Sequence, residues 1–219
     1  MDKSCRKGSG MAKKPSLPHF RYERLLAKDA VWPVAGTDEV GRGPLAGPVA
    51  AAAVILDPKR LPKGVNDSKA LTAEARLAAY DEIMRHALAV SVAFASAAEI
   101  DAINIRQASL TAMRRALAAL ALAPRYALVD GNDLPTALCC AGETIVGGDA
   151  RSLSIAAASI VAKVTRDRLM ARLCRLYPVY GFSRHVGYAT PEHLAAIAQH
   201  GPCPYHRMSF SPFRAADVA

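Results

Sequence analysis

Short apolar runs alternate with stretches of helical periodicity along this chain, and the alternation predicts most of its elements. Val34-Ala35-Gly36-Thr37-Asp38 reads as a short buried strand, and Val49 to Leu56, uncharged throughout, reads as a second strand returning after a Gly-Pro turn. The two predict a hairpin whose loop lies at the carboxylate end of the first strand. Leu71 to Ala87 places apolar residues at helical spacing behind Thr72, a good N-cap, with Glu74 in the first turn. Val90 to Ala95 reads as a strand. Ala97 through Ala121 is helical in composition and is broken or bent near Asn104. Tyr126 to Val129 is a β-run stopping at Asp130-Gly131-Asn132, and Thr144 to Val146 is a further short strand ending in Gly147-Gly148-Asp149. Ser154 to Leu176 is the strongest helical segment, alanine-rich and closed by Tyr177-Pro178. Strands and helices that alternate after an initial hairpin predict an α/β fold, a mixed sheet with helices against it.

At 219 residues, 52% of them apolar, the chain suffices for one well-buried domain but not for two generous ones. Residues 1–33 mix Lys, Ser, Gly and Pro around one modest helical pattern from Tyr22 to Lys28, so a flexible basic tail is expected to lead into a domain over 34–219. The uncharged stretch Leu45 to Leu56 contains Gly47 and Pro48 and falls short of the roughly twenty apolar residues that span a bilayer. No apolar block follows the early lysines, so neither a membrane span nor a secretory signal is predicted, and a cytoplasmic protein is expected. Five cysteines without Cys-x-x-Cys spacing predict reduced thiols and no zinc site; Cys139-Cys140 is a vicinal pair that a bridge would strain.

The formal charge of +9 is unevenly placed. Residues 1–30 carry eight Lys/Arg against Asp2, Glu23 and Asp29, a local +5. From Arg151 to Arg184, Arg151, Lys163, Arg166, Arg168, Arg172, Arg175 and Arg184 face Asp167 alone. Such stripes are the footprint of a polyanion, for a soluble protein usually nucleic acid, although a solvated helix face has the same composition.

Acids stand where predicted strands end: Asp38-Glu39 after the first, Asp130 after the Tyr126–Val129 run, with Asp167 inside the long helix. In α/β sheets, strand ends are where sites are assembled. Two carboxylates about 4 Å apart repel by roughly 4 kcal/mol at an effective dielectric near 20, so a cluster of four is costly without compensation. Divalent cations remove that cost, and two of them can activate water and stabilise a leaving oxygen in an attack on phosphorus. Each acid alone serves equally well as a cap, a turn former or an ion-pair partner. Asp38 and Glu39, as neighbours on a strand, point to opposite faces, so a shared site requires the chain to bend there, which Gly41 and Gly43 allow. The turn Gly41-Arg42-Gly43-Pro44 that follows adds positive charge and exposed backbone N–H groups suited to an anion.

The chain resembles the ribonuclease HII family, the bacterial type 2 ribonucleases H. The resemblance rests on five ordered blocks: Asp38-Glu39-Val40-Gly41-Arg42-Gly43-Pro44-Leu45-Ala46-Gly47-Pro48; Asn66-Asp67-Ser68-Lys69; Val129-Asp130-Gly131; Ile155 to Asp167; and Gly187-Tyr188-x-Thr190-x-x-His193 with His206-Arg207-x-Ser209-Phe210. It implies an RNase H-like fold with a central five-stranded mixed sheet, flanking helices and a helical carboxy-terminal extension from about residue 177. The implied activity is endonucleolytic hydrolysis of RNA in RNA–DNA hybrids, with incision 5′ of single ribonucleotides in duplex DNA that leaves 5′-phosphate and 3′-hydroxyl ends. Carried over by position, Asp38, Glu39, Asp130 and Asp167 become ligands of two Mg²⁺ or Mn²⁺ ions. Gly41, Arg42 and Gly43 become readers of the 2′-hydroxyl, Tyr188 a ring stacking on the adjoining deoxyribose, and Lys69 and Lys163 phosphate contacts. Lys163 is equally placed for an i,i+4 ion pair with Asp167. A monomer acting on nucleic acid, away from membranes, is expected. Gly147 departs from the family, which commonly has lysine there.

Three other readings compete. Ribonuclease HIII shares the metal chemistry but carries an amino-terminal substrate-binding domain that 33 residues do not supply. A catalytically silent nucleic-acid binder gains nothing from four acids. A dinucleotide-binding enzyme is contradicted by the spacing Gly41-x-Gly43-x-x-x-Gly47 and by Pro44 and Pro48.

Overall fold

The computed structural model describes residues 17–214. β1 (Val34–Val40) and β2 (Val49–Leu56) form the expected hairpin, antiparallel, with Asp38 opposite Ala52. β3 (Ala87–Ala95) adds antiparallel to β2, while β4 (Tyr126–Asp130) and β5 (Ala141–Ile145) add in parallel beyond β1, giving one mixed five-stranded sheet in the order β3-β2-β1-β4-β5.

Helices cover both faces. Alternate residues of β2 divide between them: Ala51, Ala53 and Ile55 pack toward α3 (Ala97–Ala118), and Ala52, Val54 and Leu56 toward α2 (Ala73–His86) and α4 (Leu153–Leu176). Alanine at successive positions of a central strand lets both helical layers approach closely, and Ala50 to Ala53 have no exposed surface. The closest approach is at Gly36 of β1, where an added Cβ would lie 2.2 Å from the Ser154 carbonyl carbon at the start of α4. Beyond α4, α5 (Phe182–His185) and α6 (Pro191–His200) form the helical extension and pack on its last turns around Met170 and Phe182.

Several boundaries differ from the pattern-based expectation for identifiable reasons. α3 bends where expected, at Asn104 (φ 65°), whose Oδ1 caps the second half by accepting from the Gln107 N–H at 3.1 Å. β3 starts three residues early because α2 hands over to it without a loop, Ala87 being both the helix cap and the first strand residue. β5 begins at Ala141, since pairing with β4 recruits Ala141-Gly142-Glu143, which carry no apolar signal. The flexible tail expected through residue 33 gives way, within the described residues, to a packed segment: α1 (Arg21–Lys28) buries Glu23 completely. Glu23 accepts from Ser152 Oγ (2.8 Å) and the Ser154 N–H (3.0 Å), placing a carboxylate on the positive end of α4. The basic residues Lys3 to Lys14 lie outside the described residues. No described helix is long and apolar enough to cross a membrane.

Because the space beside Gly36 is filled by helix backbone, Gly36→Ala must push α4 off the sheet. Overpacking of this kind costs about 2–3 kcal/mol or more, so thermal unfolding should show Tm lowered by on the order of 5–10 °C for a domain of this size.

Candidate active site

The carboxyl ends of β1 and β4 lie side by side and carry the acids. β1 does not bend at Asp38-Glu39, as a shared site was expected to require. Its ladder with β2 continues through Val40–Ala50, and the turn comes only at Gly41 (φ +93°). The two acids therefore straddle the sheet. Asp38 shares the α4 face with Gly36 and meets the Ser159 hydroxyl, while Glu39 faces α3 and shares a cavity of about 80 Å³ with Arg42, Ser109, Met113 and Asp130. Both lie where the sheet ends, and Asp130 at the tip of β4 is within electrostatic range of each.

Burial, then the charges of Glu39 and Asp130, hold the Asp38 carboxyl well above the ordinary aspartate range, with partial relief from Ser159 and from the Glu39 N–H that donates to its Oδ1 at 2.7 Å. Glu39 is raised by burial and by Asp130 against the opposing pull of Arg42, whose guanidinium is 3.3 Å away. Asp130 is raised by burial and by Asp149, though the Gly148 N–H donates to it at 2.6 Å and Lys69 stands nearby. Burial pulls Lys69 down, but Asp149, Asp38, Asp67 and Asp130 together hold its ammonium above the usual lysine value. Ser68 Oγ lies 2.9 Å from Ser159 Oγ on α4, and Arg76 on α2 donates to the carbonyls of Ser68 and Leu71 (2.8 Å each), so the Asn66–Lys69 loop is fixed to both helices.

Asp167 stands somewhat apart. It is not among the leading charges acting on the other three, pairs with Lys163 Nζ at 2.8 Å, and lines a groove with Ala73, Arg76, Leu77 and Arg168. It lies on the same stripe of α4 as Ser159 and Lys163, about 12 Å along the axis from Ser159 at 1.5 Å per residue. Lys163 is thus in the i,i+4 pair, and Lys69 is 3.7 Å from Asp149.

The donor set suits hard divalent cations: it is all oxygen, and three of its carboxylates are held at raised proton affinity by burial and by neighbouring acids, which a cation would relieve. Among the described residues no three Asp, Glu, His or Cys side chains already enclose one point. Glu39 and Asp167 are turned instead to Arg42 and Lys163, whose side chains are 56% and 24% exposed. Partly exposed pairs of this type are worth about 1 kcal/mol or less, so redirecting either carboxylate costs little beside the repulsion removed.

The glycine-rich turn packs beneath Tyr188. A Cβ on Gly43 would lie 3.4 Å from Tyr188 Cε1, and the ring is half exposed beside it. Three contributors were not singled out from the sequence. Asp149 adds a fourth charge around Asp130 and Lys69; its signal was an acid closing the Gly147-Gly148 turn beyond the strand that pairs with Asp130's. Arg166 and Arg207, 1% and 0% exposed, donate only to backbone carbonyls of the turn and its neighbours. Both fall inside quoted motif blocks, but nothing in the sequence marks them as buried. Gly147, where the family commonly has lysine, has open space around it but adopts φ +62°, which favours glycine.

Residues 35–212 match the family model for ribonuclease HII. Ribonuclease HII from Sinorhizobium fredii is 61% identical over 202 residues, covering 92% of this chain and 87% of the relative, and that from Rhizobium meliloti is 60% identical over 198 residues, covering 90% and 91%. Among solved structures, ribonuclease H2 from Pyrococcus horikoshii superposes with TM-score 0.70 at 26% identity, covering 83% of this chain and 95% of the other. The RNase HII of Archaeoglobus fulgidus, solved in complex with PCNA, gives 0.68 at 30% identity, covering 81% and 94%. Bst-RNase HIII, solved with Mn²⁺, shares the fold at TM-score 0.65 and 21% identity, covering 84% of this chain and 68% of its own.

The raised carboxyls generate a prediction with a definite sign. A carboxyl whose folded pKa lies above its unfolded one destabilises the fold once ionised, so its contribution worsens as pH rises through the folded value and vanishes below the unfolded one. Asp38→Asn should therefore raise Tm by a few degrees at pH 8 in EDTA, with the gain fading toward pH 4. Mn²⁺ should raise the Tm of the unmodified protein and do so much less in the variant, which should also lose roughly a hundredfold or more in hydrolysis. Melting curves with and without Mn²⁺, across pH, check all of these.

Proposed function

The chain belongs to the ribonuclease HII family of divalent-metal-dependent endonucleases that hydrolyse RNA in RNA–DNA hybrids, and we propose that it also incises duplex DNA 5′ of a single embedded ribonucleotide. The ends left are 5′-phosphate and 3′-hydroxyl. Asp38, Glu39, Asp130 and Asp167 hold two divalent ions, Mg²⁺ or Mn²⁺, and bound there such ions supply an activated water and stabilise the departing oxygen. Residues 34–219, including the extension from about 177, act as one catalytic domain, and the protein works as a monomer.

The observation that carries junction reading is that Gly43 lies beside the Tyr188 ring, which an added Cβ would approach to 3.4 Å. Ribose and deoxyribose differ only at the 2′-hydroxyl, so discrimination needs hydrogen-bonding groups pressed against one sugar and a surface for the next. Gly41, Arg42 and Gly43 present main chain without bulk for the first, and the exposed Tyr188 ring supplies the second. The turn opens directly from β1, so the ribose is read within a few residues of Asp38 and Glu39. Lys69 and Lys163 turn toward phosphate as substrate enters, each leaving a partly exposed acid partner at small cost. Arg42, mostly exposed, adds charge on the same side.

The test is incision of an end-labelled duplex carrying one internal ribonucleotide, with all-DNA and RNA–DNA hybrid duplexes beside it, in Mg²⁺, Mn²⁺ or EDTA. Metal-dependent cutting immediately 5′ of the ribonucleotide, lost in Asp130→Asn, is expected. Tyr188→Ala should lower kcat/KM on that substrate by about tenfold, the scale of one stacking contact. Cutting of the hybrid with the single ribonucleotide left intact would refute junction reading.

A further inference from the structure

We infer that Arg207, with Arg166 beside it, is a positioning residue that sets ribose discrimination by holding the glycine-rich turn from its carbonyl side. The inference rests on the proposed reading of the 2′-hydroxyl by Gly41–Gly43. Arg207 donates to the carbonyls of Gly41 (2.6 Å), Arg42 (2.8 Å) and Gly47 (3.0 Å). Arg166 donates to Pro48 (3.0 Å), Ala46 (3.2 Å) and Val186 (3.0 Å), the last just before the Gly187-Tyr188 segment. Neither guanidinium forms an ion pair among the described residues; six carbonyl oxygens replace the usual carboxylate. Burial and the neighbouring Arg166 push Arg207 down to about 9, which leaves it cationic at neutral pH.

A peptide plane is rigid, with its C=O and the following N–H pointing in opposite directions. When Arg207 draws the Gly41 and Arg42 carbonyls inward, the N–H groups of Arg42 and Gly43 turn outward on the far side of the same planes. Among the described residues neither N–H donates to another backbone or side-chain atom, so both remain available to an oxygen on the substrate. A glycine-rich turn is otherwise free to rotate its planes, and a reader that rotates cannot reject a deoxyribose. Bonds to a charged donor are about twice as strong as neutral ones, which suits a donor that must fix several planes at once. The space allows no substitute: a Cβ on Gly41 would lie 2.1 Å from Arg166 Nε, so the turn is seated directly on the guanidinium layer. Arg207 is itself anchored from outside, because Asp101 on α3 accepts from the N–H groups of Met208 and Ser209 (2.9 Å each) and from Ser209 Oγ (2.6 Å).

The experiment compares affinity in EDTA for two duplexes identical except that one carries a single ribonucleotide. The ratio of the two affinities reads 2′-hydroxyl recognition separately from phosphate binding. If the unmodified protein shows no preference, the underlying reading of Gly41–Gly43 fails. If it does show one, Arg207→Lys, which keeps the charge but has no planar fork, should reduce the ratio by about tenfold, with all-DNA affinity changed by less than about twofold. Retention of the full ratio by a folded Arg207→Lys protein would overturn the inference, as would a parallel loss of both affinities with no change in their ratio. If that variant does not fold, Asp101→Ala keeps Arg207 and loosens only its anchor. It should then reduce the ratio by about threefold, a fraction of the effect of losing one charge-assisted bond, and an unchanged ratio there overturns the inference equally.

Discussion

Negative charge held out of water at the end of a sheet is the constraint on which the rest of this molecule is arranged. Asp38, Glu39 and Asp130 are all raised first by burial, and then by neighbouring acids: Glu39 and Asp130 act on Asp38, Asp130 on Glu39, and Asp149 on Asp130. A carboxylate pair in such surroundings repels by several kcal/mol, comparable with the whole net stability of a domain. The fold answers by placing cations around the cluster. Lys69, Lys163 and Arg42 are partly exposed and paired with acids, so each can change partner at small cost. Arg166 and Arg207 are buried, bonded to backbone, and fixed. Charges that must exchange partners are kept near solvent; charges that must not are sealed in.

The long helix α4 acts as the ruler for this arrangement. Its first turn is pinned to β1 at Gly36 and capped from below by Glu23, so its axial position relative to Asp38 is set by backbone contact. Ser159 then meets Asp38, and Lys163 and Asp167 follow on the same stripe at four-residue intervals. The α1 segment is therefore part of the geometry of the site, even though it supplies no residue to it.

Most of the sheet and the helices α2, α3 and α4 were legible in the sequence because each has a local signature, whereas the helical extension of α5 and α6 was expected only from the family resemblance. Val49–Leu56 is an uninterrupted apolar run, Thr72 caps a periodic helix, and Asp38, Glu39 and Asp130 close strands. β5 was only partly legible, since its first residues are recruited by pairing rather than by their own preference. The helical pattern of α1 was legible, but its packing and the burial of Glu23 were not, because Glu23 is buried by the N-terminus of a helix some 130 positions away in sequence. The expected bend at Asp38-Glu39 failed for a geometric reason: alternation along a strand forbids a shared site only in the middle of a sheet, and at its end two opposite faces meet. Arg166 and Arg207 look in the sequence like two more members of a basic protein. Only the fold reveals that their charge is spent inward.

Arg166 and Asp167 are adjacent on α4, and that adjacency joins recognition to chemistry. Neighbouring residues on an α-helix point about 100° apart, so one rotation of the helix fixes both directions. Arg166 enters the floor of the glycine-rich turn, and Asp167 lies on the α4 stripe with Ser159 and Lys163. A helix free to rotate about its axis would lose both the Arg166 support of the turn and the placement of Asp167, whereas a helix locked at Gly36 keeps both. On the proposed reading, discrimination of a single hydroxyl and cleavage of the neighbouring phosphodiester would depend on the same rigid element, the long, largely buried α4.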